Sequence, residues 1–147
     1  MTTEHKKSSI KRIGSVIFFV LAFIAGKYAY QYISGNDKTD LNSTLMAAAN
    51  ELNINLPMMV DGETRLDSSI GINRTFRYNY TLINYAAEDV DADQFKVNME
   101  STLINSFCTT KEMEVFTKND VPVTYAYHGK NGKQITTITV NSSQCGS

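Results

Sequence analysis

The chain has no tryptophan, and only two histidines, two cysteines and two prolines among its 147 residues. Each scarcity narrows what it can do. Without an indole there is no stacking platform of the kind sugar-binding clefts favour. Two cysteines without CxxC spacing or nearby histidines do not make a zinc site. One of the histidines, His5, sits in the amino-terminal tail, which leaves His128 as the one imidazole of the remaining chain. Also missing are a Gly-x-Ser-x-Gly elbow, a His-Glu-x-x-His pair, a Walker loop and a dinucleotide fingerprint. Serines without a basic partner are unactivated as nucleophiles. These absences predict a protein that is not an enzyme and that carries no cofactor and no metal. There is no excess of positive charge either, since the net charge is −1. Nucleic acid as a partner normally requires a basic surface, so none is expected. No internal repeat or low-complexity tract occurs.

Long hydrophobic runs are equally scarce, with one exception at Ile13 to Gly26. It follows a tail, residues 1–12, in which Lys6, Lys7, Lys11 and Arg12 face a single Glu4. Beyond the run Asp37, Lys38 and Asp40 reverse the sign of the charge. Such lysine and arginine asymmetry orients a membrane helix with its amino terminus in the cytoplasm. The expected span is residues 13–33, against the ~20 residues that cross a bilayer. Lys27 falls one turn from the outer end, where its stem lies along apolar surface and its ammonium reaches the headgroups. Tyr28, Tyr30 and Tyr32 fall where an interfacial aromatic belt forms. A cleaved signal peptide is the competing reading. Its weak point is the absence of an A-x-A triplet after the core. The anchor reading predicts a single-pass protein of the inner (plasma) membrane, with its carboxyl-terminal part periplasmic or extracellular.

Residues 34–39 read as a polar linker, and residues 40–147 as one exported domain. Of 15 acidic and 14 basic residues, Glu4 and the five bases Lys6, Lys7, Lys11, Arg12 and Lys27 precede residue 34, so the rest is acidic. Cys108 and Cys145 both fall on the exported side. In an oxidising compartment the simplest state of such a pair is a disulfide, which would pin the carboxyl terminus.

Within the domain, Asp40 to Asn53 has the apolar stripe of a helix at Leu41, Leu45, Ala48, Ala49 and Leu52, with Asp40 as cap. Leu56-Pro57 ends it and starts an extended stretch from Met58 to Val60. Thr64 to Ile72 and Arg74 to Ile83 read as an antiparallel pair that turns around Gly71 to Asn73. In the second strand Phe76, Tyr78, Tyr80 and Leu82 alternate with polar residues. Asp91 to Cys108 is the strongest helix, followed by a shorter one from Lys111 to Lys118. Val121 to Tyr127 and Gln134 to Val140 form a hairpin. The fold class predicted is α+β, a small antiparallel sheet with helices packed on one face.

Three clusters are candidates for chemistry. Asp89, Asp91, Asp93 and Glu100 partly match a calcium loop, but Gln94 stands where the sharp turn needs glycine. Capping of the following helix explains the same acids. Asp61, Glu63, Arg65 and Asp67, spaced by two, should project to one side, either as a solvated ion-pair row or as the acids of an envelope hydrolase. Phe76, Tyr78 and Tyr80 read first as a sheet face under helices and second as a ligand-stacking surface. These three, with Asp61, Glu63, Arg65 and Asp67, form the candidate interaction face. The function expected is the binding of another protein of the cell envelope, in an accessory or inhibitor/immunity-like role. The alternative is a module for a small apolar ligand.

Overall fold

The computed structural model describes residues 40–146. The expected span at 13–33, with Lys27, Tyr28, Tyr30 and Tyr32, lies outside the described residues. No described helix is long and apolar enough to cross a membrane.

Helix α1 (Leu41–Asn53) buries Leu45, Ala48, Ala49 and Leu52, the stripe read from its periodicity. Its cap differs from expectation. The Asp40 carboxylate caps nothing; the Asp40 carbonyl instead accepts from the Thr44 amide at 3.1 Å. A two-residue strand β1 (Met58–Met59) follows Pro57, and then come β2 (Thr64–Ile72) and β3 (Thr75–Leu82). The β2–β3 turn is Asn73-Arg74, both at positive φ (53° and 56°). Two left-handed residues between paired Ile72 and Thr75 give a type I′ hairpin, whose twist matches that of the strands.

After a short 3₁₀ turn (Ala87–Asp89), helix α2 (Ala92–Thr109) starts at Asp91, whose side chain accepts from the Gln94 amide at 3.0 Å. Another 3₁₀ turn (Lys111–Met113) leads to the short α3 (Glu114–Lys118), then β4 (Val123–Gly129), β5 (Gln134–Val140) and a last 3₁₀ turn (Ser142–Gln144).

The sheet runs β1-β2-β3-β4-β5. It is mixed, which corrects the all-antiparallel expectation: β3 and β4 at its centre are parallel. The physical reason is the intervening helix. A chain that leaves one strand and crosses back through a helix returns to the starting end of the sheet, so the next strand runs the same way.

Alternation gives the sheet two unlike faces. The inner face buries Leu66, Phe76, Tyr78, Tyr80, Leu82, Val123, Tyr125, Tyr127, Ile138 and Val140. Helix α1 packs against β2, and α2 against β5. Gly71 is where α1 comes closest to the sheet: a Cβ there would sit 2.2 Å from the Leu45 carbonyl oxygen. Two asparagines fasten the same helix. Asn42 accepts from the Arg74 amide at 2.7 Å, and Asn53 exchanges hydrogen bonds with the Ser69 amide (2.7 Å) and carbonyl (2.9 Å). Cys108 and Cys145 form a disulfide with Cα atoms 5.4 Å apart, so the tail beyond β5 is held against α2.

Candidate functional site

The opposite face of the sheet is the candidate site, because no described helix packs on it. Register places its residues. Met59 pairs with Arg65 and Arg65 with Thr81; Arg77 lies beside Thr124 and Asn79 beside Ala126; Thr124 pairs with Thr139. A bulge between Leu66 and Ser68 inserts Asp67 as an extra residue, which brings Ser68 opposite Asn79 and Ile70 opposite Arg77.

Polar contacts tie this face together. Arg65 Nε donates to Asp67 at 2.5 Å, and Thr81 donates to the other Asp67 oxygen at 2.5 Å. Arg77 Nε donates to Asn79 at 3.0 Å, and Asn79 in turn to Ser68 at 3.0 Å. Beside this network lie three large apolar side chains, Met59, Ile70 and Ile72, each 45–50% exposed. Apolar surface rimmed by fixed polar groups marks protein contact more often than chemistry.

The predicted acidic row is divided by the structure. Arg65 and Asp67 are together on the open face as an ion pair. Asp61 lies in the turn before β2, where one oxygen accepts from the Glu63 and Thr64 amides, both at 2.7 Å. Glu63 accepts from the Tyr85 hydroxyl at 3.3 Å. Burial first, then the facing Glu63 carboxylate, raises the Tyr85 phenol. The four side chains therefore serve three separate jobs instead of projecting to one side.

The aromatic part of the predicted interaction face is corrected outright: Phe76, Tyr78 and Tyr80 lie beneath the helices, each at most 2% exposed. Because β3 and β4 are parallel and in register, Tyr78 stacks on Tyr125 (centroids 5.6 Å) and Tyr80 on Tyr127 (5.2 Å). Phe95 of α2 meets Tyr127 edge-on at 4.9 Å, and Phe116 of α3 packs on Phe76 at 5.3 Å. Burial pushes the Tyr78, Tyr80, Tyr125 and Tyr127 phenols well above their usual range, with repulsion between neighbouring phenolates adding to it at the first two and at Tyr127. Among the described residues the Tyr78 and Tyr80 hydroxyls, Thr64 Oγ1 and Asp61 Oδ2 are buried without a hydrogen-bond partner.

Of the acids that resemble a calcium loop, Asp91 caps α2 and Asp89 accepts from the Ala86 amide at 3.2 Å. No cluster of three or more His, Cys, Asp or Glu suited to a metal occurs among the described residues. His128 sits in β4, half-buried, with Nδ1 3.3 Å from the Tyr80 carbonyl oxygen. Glu88, by contrast, is a site the sequence did not single out. It binds Lys133 and, at 2.7 Å, Asn131, and these hydrogen bonds lower its carboxyl to about 2. They fasten the β4–β5 turn to the 3₁₀ turn before α2.

Solved structures share the architecture. A Pseudomonas aeruginosa protein described as secreted matches with a TM-score of 0.59 at 16% identity, over 71% of this chain and 92% of its own. The pilotin of the Vibrio vulnificus type 2 secretion system matches at 0.58 and 13% identity, over 83% and 98%. The type II secretion system pilotin of Vibrio cholerae matches at 0.54 and 15% identity, over 71% and 92%. At such identities the likeness is one of fold. No curated protein sequence matches the chain. A family model does match, over residues 40–136, and the chain accordingly belongs to the family described as domain of unknown function DUF8479.

Proposed function

We propose that residues 40–147 form an exported, disulfide-stapled domain that binds another protein of the cell envelope as an accessory factor, without catalysing a reaction. The observation that carries this reading is the open sheet face, where Met59, Ile70 and Ile72 stand exposed beside the Arg65–Asp67–Thr81 and Arg77–Asn79–Ser68 networks. The fold supports it, since two of its structural neighbours are pilotins of secretion systems and a third is described as secreted. The Cys108–Cys145 bridge supports an oxidising compartment. A basic tail and the span at 13–33 would hold the domain at the inner membrane, facing outward.

Interfaces are dominated by a few apolar and arginine anchors. Replacing Ile70 and Ile72 together by glutamate should therefore abolish recovery of the partner when the full chain is captured from crosslinked membranes, while the circular dichroism of the domain is unchanged. Undiminished recovery of the same partner by the double variant would remove the open face from the proposal.

A further inference from the structure

The β4–β5 turn carries the chain's one Asn-Gly pair, Asn131-Gly132. Such a pair is chemically labile, because a glycine has no side chain to shield its backbone nitrogen. That nitrogen can attack the asparagine Cγ. A bond from N to Cγ forms, the bond from Cγ to Nδ2 breaks, and ammonia leaves with the proton that the glycine amide gives up. Water then opens the resulting succinimide to aspartate or isoaspartate, a covalent change that adds a negative charge.

The fold holds both reacting groups away from this path. The Gly132 amide, the nucleophile, donates to the Gly129 carbonyl at 2.9 Å. The Asn131 carboxamide, the electrophile, is engaged at both polar atoms. Its Oδ1 accepts from the Ala87 amide at 3.2 Å and from the Lys133 amide at 3.4 Å, and its Nδ2 donates to Glu88 at 2.7 Å. The other Glu88 oxygen accepts from the Lys133 ammonium, which steadies the carboxylate. Packing adds no protection. Asn131 and Gly132 are exposed, and a Cβ on Gly132 would meet nothing within 4 Å. These hydrogen bonds are therefore what restrains the carboxamide, and a charged acceptor makes the strongest of them.

We propose that Asn131 is a site of spontaneous deamidation whose rate is set by Glu88. While Glu88 holds Nδ2, Cγ is kept from the Gly132 nitrogen; when the 3₁₀ turn at Ala87–Asp89 moves off, the ring can close. The change runs one way. Aspartate at position 131 has no N–H for Glu88 and sets two carboxylates against each other. Isoaspartate lengthens the backbone inside a turn that the Gly129 amide closes on the Lys133 carbonyl at 2.9 Å. Either product unfastens the β4–β5 turn from the segment before α2, so each opening that reacts leaves a permanent record.

The test incubates the full chain in detergent micelles at mildly alkaline pH and follows residue 131 by peptide mass spectrometry, with and without urea. Folded wild type should deamidate more slowly than the chain in urea. Glu88→Ala should raise the folded rate by roughly fivefold, the scale of an exposed charged contact, with circular dichroism unaltered. Glu88→Gln keeps an acceptor for Nδ2 and should stay near the wild-type rate. In urea all three chains should react alike, since Glu88 acts only through the fold. A folded wild type that reacts as fast as the chain in urea, or a Glu88→Ala rate equal to wild type, would overturn the proposal. So would Glu88→Gln reacting as fast as Glu88→Ala, because the ion pair with Lys133 and not the hold on Nδ2 would then set the rate.

Discussion

Four tyrosines stand in two stacked pairs at the centre of the core, Tyr78 on Tyr125 and Tyr80 on Tyr127. Their phenols are raised by burial, so the stability they confer has a definite pH dependence. Below the unfolded-chain value of about 10 the contribution is complete; as pH rises past it the unfolded chain ionises and the folded one does not. Alkaline unfolding should accordingly begin near pH ~10, and the phenolate absorbance of these four should rise together with loss of helical circular dichroism. Phenolate appearing in a fully folded domain would contradict this. Gly71 makes a second residue-level prediction. A methyl group there meets the Leu45 carbonyl, so Gly71→Ala should lower the stability to urea by roughly 1–3 kcal/mol, as overpacking does. The alternation in Thr75–Leu82 showed which side chains share a face, and helices packed over the aromatic one were the first reading. What alternation does not contain is the partner strand, so the tyrosine pairing was not legible. Nor were Asn42 and Asn53, because a side-chain hydrogen bond across the fold leaves no periodic signal.

Elements are legible in the sequence where a single periodicity runs long. Phe95, Met99, Leu103 and Phe107, spaced by four, are the buried stripe of α2, and the limits of β2 and β5 match the structure. The parallel pairing of β3 with β4 is implied only by the strand, helix, strand order from Thr75 to Gly129. Hairpins at both ends of the domain suggested antiparallel pairing throughout, whereas the crossover through α2 forces the central pair to be parallel. The disulfide acts at this scale too. It closes a loop across 37 positions and fixes the end of β5 to α2. Constraint of the unfolded chain by a loop of that length contributes about 4 kcal/mol. A Cys108→Ser, Cys145→Ser double variant should lose about that much in urea unfolding, with the tail after Val140 showing the largest gain in amide exchange. A loss below about 0.5 kcal/mol would show that the tail is held by packing alone.

At the scale of the whole molecule, one sheet face is closed by helices and the other, among the described residues, is left open, and the proposed function rests on that asymmetry. The open face combines fixed polar networks with Met59, Ile70 and Ile72 at the surface, while the aromatic residues that the sequence suggested for contact are spent on the core. The apolar positions Ile70 and Ile72 could not be told from core positions in the sequence, since the bulge at Asp67 shifts the alternation of β2 by one residue. The most direct test places a photo-activated crosslinking amino acid at position 72 of the full chain in living cells, with a matched probe at Met46 on α1. One discrete protein adduct is expected from position 72 and none of that mass from position 46. Equal labelling from the two positions, or no protein adduct from position 72, would contradict it.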